Sequence, residues 1–517
     1  MHEIVTGGEP VTTRLDRALE SHRRARREEA LEHLSGCEEW PHPYNEKALA
    51  LRAEVLAGRD AILALQELAA HQDLFTTTDG RFDYLIASAR AYTNSRNFDF
   101  AHEMLDAAQA LVEGESDPRI SRLAFHRARL QCIMRDFDPK SDDFALALRD
   151  SDPALQFAAL EWRSWMHAGL EDYRAQLRDF QAAFRIFERE GYRCNYSTVA
   201  TALHAMLRLA FEVGDTEALT TGESAYEAIE WTPDIQDYRF LCARALAWDA
   251  YLRGEPARAQ WLFKDSKEIA PTTAWKVMAH VDRAYVARMN ENEAWATEEL
   301  YQAHSLASRV TWSATSGEER MALITMAVLF APIDMAQAQR YVSTYIQLGS
   351  DGMKPTLAAT YDRRAIAFEK YATGRVQQVL GNTKLAVRSY ETAFEIFSQS
   401  EHYYRAALAA GSLYELTNEP AWLEVARSNA ARFPQSAIYR RLHQDGGTKH
   451  QHVLAELTTL QRQIAIGIGQ GLDIDQLSQR FSRSTFTIEN QMDAIYTALG
   501  VKSRHALRSE LQRRGLL

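Results

Sequence analysis

Glycine and proline are scarce in this chain, at 24 and 13 among 517 residues. An all-β protein needs turn residues more often, so their shortage favours helices. Cysteine is rarer still. Cys37, Cys132, Cys194 and Cys242 form no C-x-x-C pair, and a chain this long builds cores without covalent staples. Reduced, buried thiols are expected rather than a disulfide or metal framework. No apolar run approaches the ~18 residues needed to span a bilayer, and the opening MHEIVTGGEP lacks the basic and apolar regions of a signal peptide. The expectation is a cytoplasmic protein with no membrane partner. There is no G-x-x-x-x-G-K-[ST] loop for nucleotide hydrolysis, no H-E-x-x-H, no G-x-S-x-G and no G-x-G-x-x-G. Neither an enzyme nor a cofactor is expected.

The residues present suit a folded chain, with 46% apolar and 25% charged. The length implies several domains or one extended array. The formal net charge of -11 argues against a protein that coats nucleic acid along its whole length. It does not exclude a local contact, because the field that matters is local.

From about Thr12 to Arg441 amphipathic stretches alternate with short polar breaks. Leu85, Ala89 and Tyr92 share one helix face, and after the break TNSRNFD so do Ala101, Leu105 and Ala108. Small residues at Ala89 and Ala101 let two antiparallel helices approach, while Leu105 fills the space between neighbours. The pattern returns at Ala247, Gly254, Ala259, Phe263 and Pro271, and again at Gly374, Gly381, Ala386, Tyr390 and Ala393. Weaker copies fall at Gly214-Asp215 with Ala218 and Ala225, at Tyr173, Phe180 and Ala183, and at Ala296, Leu300 and Ala303. This arrangement resembles a degenerate tetratricopeptide repeat, a helix-turn-helix unit of ~34 residues. One such pair cannot bury its apolar face alone, so pairs stack and leave a concave surface where a peptide, protein or small ligand can dock.

Three polar segments invite other readings. HQDGGTKHQH, His443 to His452, contains two glycines and reads as a linker, its histidines solvated rather than metal-bound. His33, Cys37 and His42 are badly spaced for zinc and short of a ligand. HRRARR, His22 to Arg27, is a basic run best read as an exposed helix face, the alternative being a grip on DNA or an acidic partner.

After the linker, four helices can be placed from their own chemistry. Thr458 with Gln461 and Asp473 with Gln476 are capping-box pairs. Ile464 and Ile468 line the first helix, which should stop near Gly471, and Leu477 and Phe481 line the second. Ser482 to Ser484 make a turn. Ser484 caps a third helix whose buried stripe is Ile488, Met492, Ile495 and Leu499. Gly500 stops it, and Ser503 caps a last helix bearing Ala506, Leu507 and Leu511. Two short helices joined by a tight turn make a helix-turn-helix.

Leu457-Thr458, Gly471, Leu477, Phe481, Ser484, Thr487-Ile488, Ile495 and the run Leu499-Gly500-Val501-x-Ser503-Arg504 resemble the LuxR (GerE) family of DNA-binding domains from end to end. The resemblance implies an all-α chain: a tetratricopeptide-like solenoid over 1–442, a linker over 443–452 and a LuxR-type domain over 453–517. It implies that the third helix enters the major groove of double-stranded DNA. Thr485 and Thr487 would contact phosphates, with Arg483 and Ser484 beside them in the DNA-binding set; Glu489, Asn490 and Asp493 would face bases, and Lys502 and Arg504 would touch the backbone beyond. Leu507 and Leu511 would make the contact of a homodimer. The departures are Leu460 and Gln461 in place of arginine and glutamate, Glu489 and Gln491 in place of lysine and histidine, and Asp493 where a basic residue is common. Carboxylates on the groove side weaken phosphate binding, though Glu and Asp can accept from cytosine N4 and Asn490 can pair with adenine. Arg480, Arg483, Lys502, Arg504, Arg508, Arg513 and Arg514 surround the helix as phosphate ligands or as solvated charge.

The expected function is a DNA-binding transcriptional regulator whose acidic array senses a ligand and modulates the small, charge-balanced domain. The alternative is a repeat scaffold whose helix-turn-helix has become an interaction or dimerisation module.

Overall fold

The structure is a computed structural model. It describes residues 9–517 apart from 115, 137–140, 291, 313–316, 351–358, 444–456, 458, 470, 482 and 514–517. Among the described residues there are 27 α-helices and no strand.

The array opens with α1 (Val11–Arg23), α2 (Arg27–His33), α3 (Tyr44–Ala57), α4 (Ala61–Ala70), α5 (Thr78–Asn94), α6 (Phe98–Gln109), α7 (Ile120–Met134) and α8 (Asp143–Ala147). It continues with α9 (Pro153–Gly169), α10 (Tyr173–Glu190), α11 (Tyr196–Val213), α12 (Thr216–Ala228), α13 (Gln236–Leu252), α14 (Pro256–Ile269), α15 (Thr273–Met289) and α16 (Glu293–Ala307). Then come α17 (Gly317–Phe330), α18 (Met335–Ser350), α19 (Ala359–Val379), α20 (Thr383–Gln399), α21 (Tyr403–Thr417), α22 (Pro420–Ala430) and α23 (Ala437–His443).

From α3 onward each odd helix pairs with the even helix that follows it. The recurring break explains why. Gly214 closes α11 in the left-handed region at φ +75°, and the next residue, Asp215, accepts the Ala218 N–H at 2.9 Å to open α12. One residue supplies the conformation that stops a helix and its neighbour supplies the cap that starts another. The small residues of the repeat sit where the pairs meet: Ala89, Ala101, Ala108, Ala247, Ala259, Ala386 and Ala393 are buried, as are Leu105, Phe263 and Tyr390. The fold is an all-α, tetratricopeptide-like solenoid.

The solenoid winds far enough to meet itself. Helix α21 packs on α11, and α19 on α9, although α21 and α11 are separated by some two hundred residues of chain. A single apolar core therefore joins Phe157, Phe180 and Leu203 to Tyr404, Phe433 and Leu442. At this seam Glu212 of α11 stands 3.7 Å from both His402 and Arg405, and Arg174 pairs with Glu401 at 3.0 Å. The loop before α23 presses into the ends of α11 and α13. A methyl group at Gly214 would lie 3.3 Å from the Phe433 ring, and one at Gly254 (φ +76°) 2.8 Å from the Gln435 carbonyl oxygen.

The basic run near the N-terminus belongs to another seam and is no open patch. Arg24 donates to the Tyr196 hydroxyl at 2.9 Å, Arg26 pairs with Glu230 at 2.6 Å, and the Arg27 N–H donates to Asp234 at 2.8 Å. Thr232 donates to the Ala25 carbonyl at 2.8 Å. Burial, helped by Arg90, lowers the His22 imidazole to about 4. All four cysteines are free and buried, and burial pushes the Cys132 and Cys194 thiols up to about 12. Cys37 is a core residue, while His42 bonds Thr76 at 3.2 Å and Glu46 at 3.3 Å. No described helix is long and apolar enough to cross a membrane.

The seam predicts a difference between two glycines of the same conformation. Gly381 (φ +78°) has nothing within 4 Å of a Cβ, so Gly381→Ala is expected to cost about 1–2 kcal/mol for the left-handed backbone alone. Gly254→Ala should exceed that by a further ~1–3 kcal/mol, because Gln435 must also move. Denaturant midpoints of the two variants measure the gap; equal losses would show that the seam at Gln435 gives way freely.

Candidate functional site

The C-terminal helices are Thr459–Gly469, Ile474–Phe481, Thr485–Leu499 and Arg504–Arg513. The capping expected of Thr458 and the turn residue Ser482 lie outside the described residues, as do Arg514 and the linker positions after His443. The second capping box is present: the Asp473 N–H donates to Gln476 at 2.9 Å and the Gln476 N–H to Asp473 at 2.8 Å. Ser484 Oγ accepts the Thr487 N–H at 3.2 Å and lies 2.8 Å from the Thr487 hydroxyl. Gly500 (φ +65°) ends the third helix, and Ser503 accepts the Ala506 N–H at 3.1 Å.

These helices enclose their own core of Leu457, Ile464, Ala465, Ile468, Leu477, Ile488, Met492, Ile495, Leu499, Leu507 and Leu511. Gly467 matters here, since a methyl group on it would lie 2.6 Å from Leu477. The Leu477 side chain of the second helix thus lies directly over the first, which packs mainly on the third and fourth. With the buried stripe facing inward, the outer face of the third helix exposes Thr485, Glu489, Asn490 and Asp493. Arg483, Ser484 and Lys502 are also exposed, while Thr487 and Arg504 are half-buried. Arg504 and Asp493 both lie near Tyr496, whose phenol burial pushes up, Arg504 opposing and Asp493 adding. The structure therefore brings the expected groove-facing residues onto one surface.

It corrects one assignment. Leu507 and Leu511 are 0% and 1% exposed and pack inside the domain. Buried on their own core, they offer nothing to a second copy. The sequence reading also missed Phe486, which is 70% exposed beside Thr485. Its signal was available, because it stands two residues before Ile488, off the buried stripe.

The array holds a second set of polar groups, in the lumen enclosed by its odd helices. One cavity, of about 80 Å³, lies between α11, α13, α15 and α21. Arg244 forms a two-pronged pair with Asp282, which also accepts from the Trp248 indole at 3.2 Å. Arg405 lies over Phe368, 4.9 Å from the ring centre, and beside Glu212. The lumen continues past Tyr285 to a second opening lined by Arg288, Arg375, Arg440 and Arg441. No sequence signal pointed to these arginines, because they come from helices far apart in the chain.

No protein-family profile matches the chain, and no curated protein matches it. Solved structures similar to it include a Rap protein complexed with Competence and Sporulation Factor, at 11% identity and a TM-score of 0.44, covering 71% of this chain and 99% of that one. The APC/C hetero-tetramer Cut9-Hcn1 is similar at 13% identity and 0.28, over 85% and 91%. Naa15/Naa10 bound to HypK-THB is similar at 14% identity and 0.24, over 98% and 96%.

Removing the cap in Ser484→Ala is expected to destabilise the start of the third helix by about 1 kcal/mol. Amide hydrogen exchange over 485–488 should accelerate by roughly fivefold. Unchanged exchange would show that the helix start does not depend on this hydroxyl.

Proposed function

We propose that the chain is a transcriptional regulator, with a C-terminal helix-turn-helix of LuxR type that reads double-stranded DNA and an array that holds the controlling peptide, protein or small ligand. The observation that carries this reading is the third C-terminal helix: capped at Ser484, seated on the domain core through Ile488, Met492, Ile495 and Leu499, and exposing Thr485, Glu489, Asn490 and Asp493 on its outer side. A helix so mounted fits a major groove. Arg483 and Lys502 flank it as exposed cations for phosphates. Asn490 suits adenine, Glu489 and Asp493 suit the cytosine amino group, and Phe486 suits a thymine methyl. Binding as a dimer on two half-sites would use a surface other than Leu507 and Leu511.

A second reading keeps the array as a protein-binding scaffold and makes the C-terminal domain an interaction module. The exposed Phe486 among carboxylates favours it, since such a face suits a basic, partly apolar protein surface.

Selection from random duplexes by the full chain, repeated over a salt series, separates the two. The regulator predicts an enriched motif whose affinity falls as salt rises. Glu489→Lys combined with Asp493→Lys should raise general affinity and abolish the motif. An absence of enrichment at low salt overturns the regulator and leaves the scaffold.

A further inference from the structure

The second opening of the lumen is a cavity of about 460 Å³, within the range that small-molecule sites occupy. Arg288 of α15 and Arg375 of α19 stand in its wall, and Arg440 and Arg441 of α23 stand exposed at its rim. Among the described lining residues the one carboxylate is Glu415, and Arg441 approaches it no closer than 3.9 Å.

The partners of these arginines do not use up their donors. Arg375 donates to Gln378 at 3.0 Å and Arg440 to the Gln435 carbonyl at 2.9 Å. The Arg288 side chain is 19% exposed. It donates to the Leu329 carbonyl at 2.6 Å and to Glu293 at 3.3 Å, yet its Nη2 is buried without a hydrogen-bond partner. Burial lowers the Arg288 pKa, Glu293 opposing and Arg375 adding to that push. Gathering guanidinium groups away from water is unfavourable unless anions meet them. In the neighbouring cavity Arg244 is paired more fully, by two hydrogen bonds to Asp282.

We propose that this opening is an oxyanion site for a small ligand with two or more carboxylate or phosphate groups. Arg288 and Arg375 receive the deeper group and Arg440 and Arg441 the outer one, by the paired N–H donors that guanidinium offers such anions. Because α23 is the last described helix before the C-terminal helices, a ligand drawing Arg440 and Arg441 inward also holds the end of the described array. The site deepens the reading of the array as a sensing module and rests on it for the link to DNA, not for the binding.

The test is calorimetric titration of the full chain with tricarballylate and with pyrophosphate, at fixed ionic strength and against acetate. Saturable binding of one polyanion is expected, tricarballylate pointing to a polycarboxylate and pyrophosphate to a phosphate ester. Arg288→Gln should weaken it by about tenfold or more, the effect of one lost charge-assisted hydrogen bond. Arg440→Gln with Arg441→Gln, both exposed and so tolerated by the fold, should weaken it at least as much. The same affinity in the rim variant, or no saturable binding by either anion, overturns the site. Saturable binding without any DNA motif would keep the site and remove the regulator; a motif without anion binding would do the reverse.

Discussion

Glu212 holds the point where the solenoid meets itself. Its carboxylate lies 3.7 Å from both His402 and Arg405, tying α11 to α21. Buried ion pairs add little net stability, because desolvation offsets much of the attraction. Removing one partner of such a pair would leave a charge stranded in the core. Apolar contacts do the bulk of the holding, as one continuous core runs from Phe157 to Leu442 across the seam. The constraint also explains two glycines: Gly214 and Gly254 end their helices and give the returning loop room.

Closure turns a concave surface into a lumen. In an open array the inner faces of α11, α13, α15 and α21 would be solvated, and arginine on them would be ordinary surface charge. Once the coil closes, the same side chains face one another with little water. Where carboxylates accompany them, as at Asp282 and Glu212, the charges compensate within the fold. At the second opening Arg288 and Arg375 stand in the wall, Arg440 and Arg441 are exposed at the rim, and the one carboxylate among the described lining residues is Glu415. The winding of the array and the chemistry of its interior are thus one problem.

The C-terminal domain is built differently. Its four helices enclose a core drawn from their own apolar residues, and a close approach at Gly467 brings the first helix against Leu477. That inward packing consumes Leu507 and Leu511 and leaves Phe486 outside. Its outer face mixes cations with Glu489 and Asp493, so any affinity for a polyanion comes from the flanking residues more than from the helix itself.

The sequence by itself determined what depends on neighbours along the chain. Helix pairs followed from small residues at Ala89, Ala101, Ala247 and Ala259, and from stop-and-cap doublets such as Gly214-Asp215, because burial period and capping are local. The stripe Ile488, Met492, Ile495 and Leu499, with Ser484 as its cap, was legible for the same reason, and it carried the exposed face with it. Leu507 and Leu511 were misassigned, since periodicity says that a residue is buried and not whether its own domain or a second copy covers it. HRRARR read as an exposed helix face until Tyr196, Glu230 and Asp234 were brought to it from far along the chain. Tertiary structure alone decided the closure of the solenoid and the meeting of Arg288, Arg375, Arg440 and Arg441. Both depend on small rotations between successive helix pairs, summed over hundreds of residues, and no local pattern records that sum.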